Sequence, residues 1–175
     1  MTLVTRRQGA VEAAPSDGLA TQDEIDFALI ELLFFAYRDF TSDPDQILAD
    51  YGFGRAHHRI LHFVNRKPGM TVAELLDVLK ITKQSLARVL KQLIDAGHVV
   101  QRQGARDRRQ RRLYPTEQGS SLALALAAPQ SRRIARALEG ASSGDRAAVE
   151  SFLKQMVDPD LRPQIDRVPG GVRTE

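Results

Sequence analysis

A mainly helical domain carrying one small β-hairpin is the fold class that this 175-residue sequence predicts. Three observations carry it. Apolar residues recur at helical spacing along most of the chain, in segments opened by Thr or Ser and several closed by Gly. Between Thr71 and Ala96 two such segments are short and separated by a turn of about three residues, which is the helix-turn-helix pattern. Two strand-like runs joined by an arginine-rich loop follow at once and read as a wing. The architecture expected is a winged helix-turn-helix lobe, about residues 54–115, flanked by helices at about 22–40 and 117–156 in a single domain spanning 21–157.

Each element has its local reason. Residues 1–20 mix Gly, Pro, Ser and small side chains without an apolar period, and predict a flexible tail. Thr21 and Glu24 have capping-box spacing and open a helix to about Phe40. Its stretch Phe27 to Tyr37 is apolar almost all round, so the helix needs cover on several sides, and a second subunit supplies it in a protein this small. Asp43-Pro44 reads as a cap and first turn of a short helix to about Asp50, stopped by Gly52. A helix from about Gly54 to Arg66 turns Ile60, Leu61 and Val64 inward. Thr71 and Glu74 form a second capping box, ahead of Leu75, Leu76 and Leu79. Thr82 caps the next helix, which runs to about Ala96 with Gly97 as its stop and buries Leu86, Val89, Leu90, Leu93 and Ile94. His98 to Gln103 and Arg111 to Tyr114 are the two arms of the wing around the loop 104–110. Thr116 caps a long helix carrying Leu122, Leu124, Leu126, Ile134 and Leu138, which Pro129 is expected to kink or divide. Ser142 starts a last helix with Val149, Phe152, Leu153 and Met156 inward, and residues 158–175 predict a second flexible tail.

Charge is unevenly spread. Residues 82–115 hold 9 Lys and Arg against 2 Asp and Glu, whereas residues 1–81 hold 8 against 12 and residues 116–175 are balanced at 8 each. The net +3 therefore lies in one short segment, and a polyanion is its natural partner. Cysteine is absent, which excludes disulfides, thiolate metal ligands and thiol redox sensing. No apolar run is long enough to cross a bilayer and the N-terminus lacks the apolar core of a secretory signal, so a cytoplasmic protein without a membrane partner is expected. An enzyme is not expected: there is no Gly-rich phosphate loop, no Cys nucleophile and no paired carboxylates at a suggestive spacing.

The N-terminal turn of a recognition helix enters the major groove, where polar side chains of moderate reach are needed. Thr82, Lys83, Gln84 and Ser85 meet that need, with Gln suited to adenine edges and Lys to guanine or phosphate. Arg88 and Lys91, one and two turns on, are placed for phosphates. Arg106, Arg108 and Arg109 of the wing loop can enter a neighbouring minor groove, where a narrow A·T tract concentrates negative potential. A solvated basic face is the plain alternative for any one of these, but the two-helix turn, the arginine loop and the local charge excess coincide. His57, His58 and His62 are candidates for a metal or haem site, since His58 and His62 are four apart on one helical face. A third ligand is not visible at a fixed spacing, and His62 beside Leu61 and Phe63 reads equally well as a half-buried packing residue.

The run Thr82-Lys-Gln-Ser-Leu-Ala-Arg88, the run Leu93-Ile-Asp-Ala-Gly-His-Val99 and the stretch Asp107-Arg-Arg-Gln-Arg-Arg-Leu-Tyr-Pro-Thr-Glu-Gln-Gly119 together resemble the MarR family of bacterial winged-helix regulators. The resemblance extends from about residue 22 to 156, and the segment Tyr51 to His58 is similar to the PetP-type branch. It implies that Arg109 reaches DNA while Asp107 steadies the wing against the recognition helix. It also implies a homodimer whose terminal helices interlock, and in many relatives a small aromatic anion bound between the dimer base and the DNA-binding lobe. No ligand identity carries over to this chain. The function expected is a sequence-specific regulator binding double-stranded DNA as a homodimer on a pseudo-palindromic site and modulated by a small-molecule effector, with no cofactor assigned. The alternatives are a winged-helix protein-interaction module and a His-based metal- or haem-responsive regulator.

Overall fold

The computed structural model describes residues 25–104 and 110–163. The chain divides into two units at the Ala36–Tyr37 boundary, inside the first helix, α1 (Phe27–Ser42). In the first unit Asp26 Oδ1 accepts the Leu29 amide at 2.9 Å and so caps α1. The helix therefore starts at Phe27 and not just after Thr21; the expected Thr21–Glu24 box and the tail 1–20 lie outside the described residues. Phe27, Leu29, Ile30, Leu32, Leu33, Phe34 and Phe35 are all exposed on it.

Among its described residues the second unit holds the end of α1 and then, in turn, α2 (Asp45–Asp50), α3 (Arg55–Arg66), β1 (Met70–Thr71), α4 (Val72–Leu79) and α5 (Lys83–Asp95), then β2 (Val99–Gln103), β3 (Arg111–Pro115), α6 (Glu117–Ala137) and α7 (Ser143–Met156). The three strands form an antiparallel sheet in the order β1-β3-β2. Leu48, Ile60, Leu61, Val64, Leu75, Leu86, Leu93, Val99, Leu113 and Leu126 make its core, so α2, α3, α4, α5, the sheet and the first half of α6 close on one apolar centre. The fold class is that predicted: mainly α with a small β-wing.

Local chemistry explains most boundaries. Thr71 Oγ1 accepts the Glu74 amide at 3.2 Å while Glu74 Oε2 takes the Thr71 amide at 2.7 Å, the reciprocal box that starts α4. Thr82 and Thr116 cap α5 and α6 through the amides of Ser85 and Gly119. Gly97 leaves α5 at a φ of +76°, open to glycine without a side-chain penalty. Gly119 is required for a different reason. A β-carbon there would sit 1.9 Å from the His98 carbonyl oxygen, so only glycine lets α6 begin against the root of the wing.

Five expectations need correction. Asp43 does not cap α2, because its carboxylate is held by Arg133, with Nε and Nη2 at 2.6 and 2.8 Å, a partner 90 residues along the chain. β1 is an additional strand that two residues could not announce; Met70 and Thr71 pair with Leu113 and Arg112. Pro129 does not divide α6, which runs unbroken through it. The one backbone bond that proline removes is outweighed by anchors on both sides, with Leu122 and Leu126 in the core before it and Gln130 donating to the Phe40 carbonyl after it. On α7, Val149, Phe152, Leu153 and Met156 do not face inward; each is 44–51% exposed, as are Ile134 and, further still, Leu124 on α6. Beyond Asp158 a 3-10 turn, Pro159–Leu161, replaces a fully loose tail, and Arg162 donates to the carbonyls of Val157 and Gln155; residues 164–175 lie outside the described part.

Candidate nucleic-acid interface

Between α4 and α5 the chain turns in three residues, Lys80, Ile81 and Thr82. Lys80 takes the left-handed conformation with φ at +50°, and its amide donates a hydrogen bond to the Leu76 carbonyl that closes α4. Partly buried Ile81 packs on the core, and Thr82 restarts the helix. The apolar side of α5, Leu86, Val89, Leu90 and Leu93, is buried, which leaves Thr82, Lys83, Gln84, Ser85, Arg88 and Lys91 exposed. The predicted side chains are thus brought onto one solvent-facing surface that begins at a helix N-terminus. There the free amides and the helix dipole add to the positive charge.

These side chains differ in how free they are. Thr82 Oγ1 donates to Ser85 Oγ at 2.9 Å and accepts the Ser85 amide, so Thr82 is committed to capping while the Ser85 hydroxyl keeps its own proton to donate. Lys91 Nζ meets Asp95 at 2.5 Å, an exposed pair one turn apart. Lys83, Gln84 and Arg88 make no hydrogen bond or ion pair to other described residues.

The wing is a register-matched hairpin in which Arg102 pairs with Arg112 and Gln103 with Arg111. Leu113 is buried, so Arg102, Arg112 and Tyr114 project from the opposite face of the pleat. The Arg102 guanidinium lies 5.3 Å from the centre of the Tyr114 ring, and Arg112 Nη1 donates to the Gly69 carbonyl at 2.9 Å, tying the wing to the turn before β1. The Gly104 amide donates to the Gln110 carbonyl and closes the base of the loop. Arg106, Asp107, Arg108 and Arg109 lie outside the described residues. Arg102 and Arg111, which the sequence reading did not single out, add charge on the arms, and two-residue alternation against Leu113 was the signal that marks their faces.

The histidine cluster divides. His57 Nδ1 accepts the Gly54 amide at 3.0 Å and its Nε2 lies 3.0 Å from Gln92 Oε1, so both ring nitrogens are used within the fold. His58 and His62 instead line a cavity of about 250 Å³. Tyr37, Phe40 and Phe63 form its aromatic walls, with Arg59 and Gln130 also lining it. Burial pushes both imidazoles below their ordinary range, helped by His62 and Arg59 at His58 and by Arg66 at His62. Arg55, at the rim, is neutralised by Asp45 through contacts of 2.7 and 3.2 Å, whereas Arg59 makes no ion pair among the described residues. No group of three or more His, Asp or Glu among the described residues is arranged to hold a metal ion. No helix among them is long and apolar enough to cross a membrane.

Known proteins share this arrangement. The sequence model of the MarR family matches residues 51–110. Over 133 residues the chain is 50% identical to the HTH-type transcriptional regulator PetP of Rhodobacter capsulatus, a match that covers 76% of this chain and 80% of that one. A MarR transcriptional regulator from Methanosarcina mazei Go1 superposes with a TM-score of 0.61 at 25% identity, covering 74% of this chain and 93% of that one. A Listeria monocytogenes protein solved in complex with 26mer DNA superposes with a TM-score of 0.65 over 83% of this chain and 97% of its own; at 20% identity that likeness speaks for the fold alone.

Proposed function

The chain belongs to the MarR family of helix-turn-helix transcriptional regulators, and from that premise we propose that it binds a pseudo-palindromic DNA site as a homodimer under the control of a small ligand. The observation that carries the DNA surface is the exposed first turns of α5, where Lys83, Gln84 and Arg88 stand free of partners among the described residues. In this reading Lys83, Gln84 and Ser85 meet base edges in the major groove, Thr82 holds the turn that presents them, and Arg88 and Lys91 take phosphates. The loop residues Arg106, Arg108 and Arg109 reach the neighbouring minor groove, and Asp107 steadies the wing.

The dimer is supported by apolar surface that the chain leaves uncovered on α1 and α7, with Phe34 66% exposed and Leu153 51%. A two-fold pair would place one α5 in each half of a symmetric site. Ligand control is supported by the cavity beside α3, whose aromatic walls suit a flat apolar body and whose Arg59 suits an anionic group. Activity as a regulator needs no turnover, and members of such a family typically act without it.

A mobility-shift titration tests the central claim. With roughly six to ten phosphate contacts, affinity falls by about a thousandfold or more between 50 and 200 mM salt. Arg109→Ala is expected to weaken binding to all good sites, and Gln84→Ala to change which bases are preferred. A flat salt response, or both variants behaving as wild type across a site library, would sink this assignment of the reading surface.

A further inference from the structure

We propose that His57 and Gln92 are a positioning pair that sets the rotation of α5 about its own axis, and with it which side chains face the bases. The inference rests on the reading of α5 as the recognition helix. Leu86, Val89, Leu90 and Leu93 fix how closely α5 lies on the core, but apolar contacts have no direction and resist rolling weakly. A hydrogen bond is directional and resists it. Gln92 lies seven residues after Ser85 and four after Arg88, so all three share one side of the helix. A roll of about 20° would move side-chain tips there by roughly 2 Å, enough to lose a base contact.

The chemistry of the bond is over-determined. The Gly54 amide is a fixed donor 3.0 Å from His57 Nδ1, so Nδ1 must accept and the ring proton sits on Nε2. Nε2 then donates to Gln92 Oε1 at 3.0 Å, which turns the amide NH2 of Gln92 away from the ring. The ring itself is clamped, stacked on Phe53 at 4.6 Å and 10°, while buried His98 meets Phe53 edge-on at 5.3 Å. The His98 amide in turn donates to the Leu93 carbonyl, next to Gln92. α5 is therefore gripped at one end by a rigid aromatic group, and the pair transmits that rigidity to the surface that reads DNA. His57 belongs to the same helix, α3, whose His58, Arg59 and His62 line the cavity, so the pair also joins the ligand-facing helix to the recognition helix.

The test separates positioning from stability. The full-length wild type is first used to select its preferred site from a random DNA library, and Kd is then measured on that site and on each single-base variant of it. Gln92→Leu and His57→Phe, the second of which keeps the stack on Phe53, are each expected to lose about fivefold in discrimination between the preferred site and its variants. Their salt dependence should stay that of wild type, and the double variant should be no worse than the poorer single one. Gln92→Glu keeps the acceptor; it is expected to bind every site more weakly through its added charge, yet to keep discrimination within about twofold of wild type. Folded variants that discriminate as wild type would reduce the pair to a stability contact and overturn the proposal. A wild type that selects no site would overturn the recognition-helix reading itself, and the pair with it.

Discussion

The winged lobe and the terminal helices are comparably rich in Leu, Ile, Val and Phe, yet they dispose of them in opposite ways. In the lobe Ile60, Leu61, Val64, Leu75, Leu93, Val99 and Leu113 are wholly withdrawn from solvent. From Phe27 to Tyr37 on α1 and from Val149 to Met156 on α7 the large apolar side chains stay between 40% and 66% exposed. The lobe closes its core with its own residues and with Leu48 of α2 and Leu122 and Leu126 of α6, whereas α1 and α7 present surface for something else to close. The difference teaches that an apolar stripe announces burial without saying whose atoms provide it.

Core truncation breaks the comparison most forcefully. Ile60→Ala is expected to cost about 2–5 kcal/mol in denaturant unfolding, because the pocket it leaves cannot collapse. Phe152→Ala on α7 should cost the isolated chain far less; an equal loss at protein concentrations too low for association would mean that α7 is packed within the chain after all. Next in size is the effect of charge on that face. Phe152→Asp with Leu153→Asp should turn the proposed dimer into a monomer in sedimentation while keeping helical circular dichroism, and a dimer that survives would move the interface elsewhere.

Smaller effects sharpen the lobe's side of the contrast. Thr71→Ala removes one half of a capping box and should cost about 1 kcal/mol. The same box governs acid stability. Burial acts to raise the Glu74 carboxyl, but the Lys67 ammonium at 2.6 Å and the Thr71 amide and hydroxyl outweigh it and hold it at about 2 against an ordinary 4.5. A depressed carboxyl stabilises the fold above pH 4.5 and loses that contribution as pH falls towards 2; at 43% side-chain exposure it amounts to no more than about 1 kcal/mol. His98 adds a second window with the same sign. Burial lowers its imidazole from 6.5, against a backbone bond at Gln118 that raises it, and burial lowers His58 and His62 as well, so the unfolded chain takes up these protons first and stability falls as pH drops below about 6.5. Thermal melts from pH 8 to 3 should show both losses in wild type and a smaller lower one in Glu74→Gln, since Asp43, Asp45 and Asp145 are also held below their ordinary range. Smallest of all, Lys91→Ala should leave stability within about 0.5 kcal/mol, since both partners of its ion pair are more than half exposed. It should nonetheless reduce the salt slope of DNA binding by about one.

What the sequence disclosed divides along the same line. Caps at Thr71, Thr82, Thr116 and Ser142 were legible because each is settled within three or four residues. The bond between Asp43 and Arg133 was not, since nothing near Asp43 signals a guanidinium 90 residues away, and a local capping rule filled the gap wrongly. β1 is too short to show a period. The basic face of α5 could be read from helical spacing, but the separation of His57 from His58 and His62 could not. One residue step turns the side chain by about 100°, enough to send His57 to Gln92 and its neighbour to the cavity.

Gly119 turns the start of α6 into a fulcrum. With no β-carbon to hold the helix off the His98 carbonyl, its first turn bears directly on the wing root. From there to Ala137 the helix extends about 27 Å, so a tilt of about 10° at the bearing carries the far end through about 5 Å. About three to four turns along it, Gln130 and Arg133 hold the Phe40 carbonyl of α1 and the Asp43 carboxylate ahead of α2. A single hydrogen atom in place of a methyl group thus lets one helix bear on the root of the wing at its first turn and, farther along, hold the end of α1.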